Sequence, residues 1–147
     1  RPRAAAPPEA LAGVLGEPAT HRALVVHGAG GLDEIPNTGE SRVSEVREGV
    51  VRTYTVRPED FGLARVSIGD LLGGDREQNA EIIRDILRGE PGPKRDIVLM
   101  NAAAALVPGG RARDLKEGVE LAARSIHSGS SWGKLEGLVR LTRELAA

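Results

Sequence analysis

Apolar residues are spaced differently in the two halves of the chain, and the spacing in the first half predicts strands. A short continuous apolar run, Ala23 to Val26, is typical of a strand buried on both faces. From Ser41 to Val56 apolar and polar residues alternate on either side of Glu48-Gly49, which predicts a β-hairpin with its turn at that pair. A hairpin beside a buried run indicates a mixed sheet rather than a purely parallel one.

The second half of the chain has helical spacing. Asp75 and Gln78 form a capping-box pattern ahead of an apolar stripe that stops at Gly89, so a helix is predicted between them. A second helix is predicted from about Asp96 to Val107. Because this segment is apolar nearly all round, it should be central and tightly packed.

Three further helices are predicted, two of them in the same half of the chain. One starts at Asp114 with Glu117 as a second capping box, and the last starts near residues 130–131. A shorter helix near the amino terminus opens at residues 7–9, where proline suits the first turn. Its predicted apolar side consists of Leu11, Val14 and Leu15.

These elements predict an α/β fold, a small mixed β-sheet flanked by helices, with four consecutive helices in the carboxyl-terminal half. The 147 residues fit a single domain spanning 1–147, with residues 1–8 as an extended lead-in. Since the first residue is Arg1 and not Met, we expect the chain to derive from a longer polypeptide.

Composition narrows the classes of function. Aromatic residues make up only 2% of the chain, so a base-stacking surface for nucleic acid is not expected. A net charge of -1 also argues against a basic surface for phosphate backbones. Without cysteine there is no thiol nucleophile or zinc knuckle. No apolar stretch is long enough to span a membrane and no signal-peptide pattern appears, so a cytoplasmic protein is expected.

The candidate chemistry lies directly after the first apolar run. A glycine-rich loop there presents two adjacent carboxylates, Asp33 and Glu34. Carboxylate oxygens are suitable ligands for Mg²⁺, which usually travels with substrate phosphates. From the residues alone, the pair is either a metal site or part of a solvated loop.

The residues before the carboxylates have two interpretations as well. His27 follows the buried run, where it is either an acid–base catalyst at a strand end or a structural histidine. Gly28, Gly30 and Gly31 either let backbone amides approach a phosphate or form a plain tight turn. The absence of a helix pattern directly after them favours the turn.

Several sequence stretches follow one another in a fixed order from about residue 22 to the end. They are Val25-Val-His-Gly28 with Gly31-Leu-Asp-Glu-Ile35, Tyr54 to Phe61, Gly73-Gly-Asp75 leading to Asn79-Ala80, Arg95-Asp96 leading to Asn101-Ala-Ala-Ala-Ala-Leu106, and Leu115-Lys-Glu-Gly-Val119 through Ser128-Gly129. In this order they resemble the carboxyl-terminal α/β domain of the anthranilate phosphoribosyltransferase family. That family shares its fold group with the pyrimidine nucleoside phosphorylases.

The resemblance implies transfer of phosphoribose from phosphoribosyl pyrophosphate to the amine of anthranilate, with magnesium on the pyrophosphate. By the family's pattern, the magnesium-binding Asp-Glu pair corresponds to Asp33 and Glu34. The family's upstream Gly-Thr-Gly-Gly-Asp phosphate loop, its Lys-His-Gly-Asn element and its helical domain have no counterpart here. Gly73-Gly-Asp75 matches a different, downstream family segment. We therefore expect no transfer activity from this chain alone.

Three functions remain open at this point. The chain is part of a phosphoribosyltransferase completed by another fragment, or a repurposed domain whose inherited cleft, lined by His27, Asp33, Glu34 and Trp132, takes a different small molecule. The third is a non-catalytic interaction module. In the family a strand normally separates Arg1-Pro-Arg-Ala4 from the helix near Pro8, and loss of that strand and of the covering helical domain would expose sheet edge and apolar surface and could drive homo-oligomer formation. The expected partners are accordingly a small-molecule ligand, a complementing phosphoribosyltransferase fragment or further copies of the chain.

Overall fold

The computed structural model describes residues 8–15 and 21–146, and within these ranges three strands form one sheet. The strands are β1 (Arg22–His27), β2 (Ser41–Arg47) and β3 (Val50–Val56). Their order is β1-β2-β3, and both neighbouring pairs are antiparallel. The expected lead-in at residues 1–8 lies outside the described residues except for Pro8, which begins a helix rather than an extended segment.

The described sheet differs from expectation in two respects. It is antiparallel throughout, where a mixed sheet was predicted, because the link from β1 to β2 contains no α-helix to carry the chain across and back. The apolar run in β1 is partly buried rather than fully covered on both faces. The α/β class and the four consecutive helices are confirmed.

The hairpin turn lies where the sequence predicts it. Glu48 and Gly49 both have positive φ, 51° and 77°. Positive φ at both central residues is the geometry of a two-residue type I′ turn, whose twist matches that of the flanking strands. β3 forms one edge of the described sheet, and its residues from Val50 to Thr55 are exposed.

Five α-helices complete the described ranges. None of them is both long and apolar enough to cross a membrane. They are α1 (Pro8–Leu15), α2 (Arg76–Arg88), α3 (Pro93–Leu106), α4 (Leu115–His127) and α5 (Ser130–Leu145).

Local signals place two helix starts correctly. Asp75 accepts a bond from the Gln78 amide at 2.8 Å, and the Gln78 side chain accepts one from the Asp75 amide at 3.0 Å, so the predicted capping box is confirmed. Asp114 caps α4 by accepting from the Glu117 amide at 2.9 Å. The predicted return bond of this box, from the Asp114 amide to the Glu117 side chain, is wrong. The Glu117 carboxylate accepts from the amide and the guanidinium of Arg113 instead.

The predicted inner side of α1 is also wrong. Pro8 and Ala12 are the buried residues of this helix. Leu11, Val14 and Leu15 are exposed, with Val14 70% accessible. A helix this short covers little area, and its small residues allow it to approach the sheet closely.

The core lies between the sheet and the helices and is built around α3. Leu99, Met100 and Ala103 are buried, which confirms the prediction that α3 is central. Ala103 also faces Gly118 of α4, where an added Cβ would come within 2.7 Å of the Ala103 Cβ. The two helices are therefore in near-backbone contact. The side chains packed with Met100 and Ala103 are Ile35, Val43, Val56 and Phe61.

Tyr54 provides a pH-dependent test of the packing across β2 and β3. Its hydroxyl donates to Glu45 Oε2 at 3.3 Å. Partial burial of the ring, followed by the charge of Glu45, raises the pKa of Tyr54 to about 12. The pKa of tyrosine in an unfolded chain is about 10. Because the pKa of Tyr54 is higher in the folded protein, its protonated form stabilises the fold; this contribution is fully present below about pH 10 and is lost as pH rises through about 12.

The expected result is a phenolate absorbance midpoint well above that of the same protein in denaturant, read without interference because Tyr54 is the chain's one tyrosine. Glu45→Gln should move the native midpoint down by removing the negative charge. Equal midpoints in the native and denatured proteins would contradict this account of the packing.

Candidate functional site

The candidate site is built on the loop between β1 and β2, which folds back tightly on itself. The Gly28 amide donates to the Leu32 carbonyl at 2.8 Å, and the Gly31 amide donates to the Gly28 carbonyl at 3.1 Å. A Cβ on Gly28 would lie 2.2 Å from the Glu34 carbonyl oxygen and 2.6 Å from Pro36 Cδ. Only glycine fits there, so the loop's shape depends on Gly28.

Helix α3 holds the loop in place through one amide side chain. Asn101 Oδ1 accepts from the Ile35 amide at 2.9 Å, and Asn101 Nδ2 donates to the Ile35 carbonyl at 2.9 Å. Ile35 itself is 1% exposed, so these groups have little access to water. The residue that follows the two carboxylates is thus fixed to the core helix by a reciprocal pair of hydrogen bonds.

A second asparagine fixes the far end of the loop. Asn37 is fully buried, and its Nδ2 donates to the Pro93 carbonyl at 2.9 Å. Its backbone carbonyl accepts from the Val66 amide at 2.9 Å. Residues 37–39 form a turn, and Asn37 in addition ties the loop to the start of α3.

The two candidate metal ligands are exposed on this fixed loop. Asp33 and Glu34 are both solvent-accessible, whereas Ile35 directly after them is buried. Within the described ranges no third carboxylate or histidine joins them to form a group of three metal-ligating side chains. Two carboxylates suit Mg²⁺, which keeps much of its water and relies on substrate phosphates for further ligands. The donor set therefore fits Mg²⁺ brought in on a phosphate better than free Mg²⁺.

Glu34 also stands at the edge of an apolar groove of about 420 Å³. Its lining includes Leu32, Ile82 and Ile97, and Glu34 and Lys94 are the charged members of the described lining. The Lys94 ammonium donates to the Asp70 carbonyl at 2.8 Å, so its positive charge is held at the lining of this groove.

The structure separates some of the other candidates from this groove. His27 is exposed at the end of β1, next to the loop but outside the groove lining. Trp132 lies on α5 against α2, where the Arg88 guanidinium stacks 5.3 Å from its ring centre. It lines a different groove, so it does not share one cleft with Glu34.

The glycines of the loop allow its backbone to turn tightly. Gly30 and Gly31 have φ of 74° and 84°, values that favour glycine. Because the amides of Gly28 and Gly31 already bond within the loop, they are not free to hold a phosphate. This favours the tight-turn interpretation over a phosphate cradle.

Sequence reasoning missed Asn101, whose contribution is positional. It lies on the apolar helix α3, directly before the alanine run at 102–105. One signal was available: a lone amide on a helix expected to be buried needs a hydrogen-bond partner. The identity of that partner, the Ile35 backbone 66 positions away, is not contained in local pattern.

Comparison with known proteins agrees with this architecture. A family model described as "Glycosyl transferase family, a/b domain" matches residues 5–132. The anthranilate phosphoribosyltransferase of Symbiobacterium thermophilum is 52% identical over 139 residues, which cover 95% of this chain and 41% of that protein. The chain thus spans about two fifths of the length of this relative.

Solved structures give the same match. The crystal structure of anthranilate phosphoribosyltransferase from Thermus thermophilus superposes with a TM-score of 0.74 at 42% identity, covering 83% of this chain and 36% of that one. The Saccharomyces cerevisiae enzyme in complex with PRPP and Mg gives 0.69 at 29% identity, covering 77% and 33%. The described fold, the matched model and these relatives together show that the chain belongs to the glycosyl transferase family, as part of the α/β domain found in anthranilate phosphoribosyltransferases.

Proposed function

We propose that this domain supplies the magnesium-binding part of a phosphoribosyltransferase site, in which Asp33 and Glu34 hold Mg²⁺ on the pyrophosphate of phosphoribosyl pyrophosphate. The observation that carries the proposal is the fixed loop. Asn101 locks the backbone of Ile35 onto α3 and leaves the two preceding carboxylates exposed to solvent. A preorganised pair of this kind suits a site that works by positioning charge.

In the proposed reaction the amine of anthranilate attacks the ribose carbon that carries the pyrophosphate. The new C–N bond forms, the bond to the pyrophosphate oxygen breaks, negative charge grows on the leaving group, and the amine nitrogen gives up one proton to solvent. Mg²⁺ held by Asp33 and Glu34 would supply positive charge to offset the negative charge on the leaving group. The residues of this chain orient the group: Asp33 and Glu34 offer ligand oxygens, and the anchored loop keeps them at a fixed distance from the core. His27 remains a predicted acid–base group beside them.

The rest of such a site must come from elsewhere. The chain contains no Gly-Thr-Gly-Gly-Asp sequence, and it spans about two fifths of the Symbiobacterium relative. We propose that the remaining ligands for phosphoribosyl pyrophosphate and anthranilate lie on a complementing region of the same polypeptide or on a separate fragment. This accounts for a pair of carboxylates that lacks further ligands among the described residues.

The isolated 147-residue chain is therefore expected to bind free Mg²⁺ only weakly, with a dissociation constant of about 1 mM or higher. It should form no phosphoribosylanthranilate, measured by fluorescence with anthranilate, phosphoribosyl pyrophosphate and Mg²⁺ present. The double variant Asp33→Asn, Glu34→Gln should lose the weak metal binding, while Glu59→Gln, which removes an exposed carboxylate elsewhere, should keep it. Product formation by the purified chain alone would contradict the need for a complementing region.

The apolar groove beside Glu34 favours a second candidate, a small-molecule-binding domain that uses the inherited cleft. Its volume of about 420 Å³ lies within the range of ordinary ligand sites, and its lining is mainly aliphatic. The two candidates differ in their dependence on phosphoribosyl pyrophosphate. Binding of a small apolar ligand that is unaffected by Mg²⁺ and by phosphoribosyl pyrophosphate would favour the second.

A further inference from the structure

The carboxyl-terminal half of α5 carries apolar residues that the described structure leaves uncovered. Every residue from Leu138 to Ala146 is exposed. The exposure is largest at three leucines, with Leu138 at 58%, Leu141 at 51% and Leu145 at 79%. Helical segments of this length are marginal in water without a packed face. A partner that covers the leucines would stabilise this end of α5.

The body of the protein is packed against a different side of α5. Trp132 and Leu135 are half-buried, and the Arg88 guanidinium of α2 covers the Trp132 ring. These contacts all lie in the first two turns of the helix. The exposed leucines therefore lie away from the existing contact and are accessible to a second surface.

The spacing of the exposed residues matches a helix-pairing seam. Lys134, Leu138, Leu141 and Leu145 follow one another at intervals of four, three and four residues. This is the alternation of the core positions of a coiled coil, and it keeps all four on one stripe. Over this length the stripe extends roughly 17 Å, enough for three to four side-chain layers.

Charge supports pairing of the stripe with its own copy in the antiparallel direction. In that arrangement Leu138 of one chain lies against Leu141 of the other, and Leu145 lies against the aliphatic stem of Lys134. The Lys134 ammonium then reaches the flanking Glu144 of the second chain, and two-fold symmetry repeats the pair at the other end. Glu144 is free for this, because its contact with Arg140 within the helix is 3.9 Å long and exposed.

We propose that a second copy of this chain docks antiparallel on the α5 stripe formed by Lys134, Leu138, Leu141 and Leu145, giving a two-fold dimer. The contact is isologous, so both copies use the same surface. Because two single helices bury less than a standard interface of roughly 1,600 Å², the dimer should be weak and should dissociate on dilution.

The test is sedimentation equilibrium of the 147-residue chain between about 10 µM and about 1 mM. A reversible monomer–dimer equilibrium is expected for the wild-type chain. Leu141→Asn should abolish the dimer, and Val14→Asn, which changes an even more exposed apolar residue on α1, should leave it unaffected. A monomer throughout the range would overturn the proposal, and would leave another region of a longer polypeptide as the cover for α5.

Charge reversal tests the register without disturbing the leucines. Lys134→Glu and Glu144→Lys should each weaken the dimer about three- to tenfold, because each brings like charges together at both ends of the seam. The double variant carrying both changes should recover wild-type affinity. A dimer that is unaffected by the single reversals, or that the double variant does not restore, would overturn this antiparallel register.

Discussion

Replacing Gly28 with alanine is expected to destabilise the protein by about 2–4 kcal/mol, one of the two largest effects we predict. The new methyl group would lie 2.2 Å from the Glu34 carbonyl oxygen and 2.6 Å from Pro36 Cδ. Neither atom can move away without opening the loop, since Ile35 and Asn37 on either side of Pro36 are both hydrogen-bonded to α3.

The measurement is the free energy of unfolding from denaturant titration followed by circular dichroism. Gly13→Ala is the matched control, because no atom lies within 4 Å of the Cβ it would add to α1. That change should be neutral or stabilise by up to about 1 kcal/mol. Equal effects of the two substitutions would show that the close approach at Gly28 does not exist.

Replacing Asn101 with leucine should cost about 3 kcal/mol or more. The change keeps the branching and the number of side-chain heavy atoms but removes both hydrogen bonds to Ile35, and it leaves a shielded amide and carbonyl without partners. We also expect the carboxylate loop to become mobile, because its link to the middle of α3 is lost. Hydrogen exchange at the Ile35 amide should accelerate along with the loss of stability.

The chain contains a matched control for this experiment. Asn79 makes the same reciprocal pair with Gly74, accepting from its amide at 2.9 Å and donating to its carbonyl at 2.9 Å. That pair is exposed, so water can replace the lost bonds, and Asn79→Leu should cost about 1 kcal/mol or less. Similar costs at the two sites would mean that burial of the Ile35 groups does not matter.

The sequence predicts best what depends on neighbours in the chain. The capping box of Asp75 and Gln78 and the turn at Glu48-Gly49 are both confirmed, since each is determined within a few residues. The central position of α3 follows from its apolar character all round.

Features that depend on distant contacts were predicted less well. The buried side of α1 is formed by Pro8 and Ala12 and not by its leucines and valine, because the small residues let the helix approach the sheet closely. The hydrogen bonds that fix the candidate site join Asn101 to Ile35 and Asn37 to Pro93, 66 and 56 positions apart. The sequence pattern locates Asp33 and Glu34, but the rigidity of their loop depends on contacts that form only in the folded chain.

The central claim is that Asp33 and Glu34 act as magnesium ligands of a phosphoribosyltransferase site completed by another region. A chimera tests it most directly, with this chain replacing the matching segment of the Symbiobacterium relative, to which it is 52% identical over 139 residues. We predict Mg²⁺-dependent formation of phosphoribosylanthranilate by the chimera, reduced about 100-fold or more by Asp33→Asn with Glu34→Gln. A folded chimera that is inactive, or whose activity and Mg²⁺ dependence are unchanged by the double substitution, would contradict the claim.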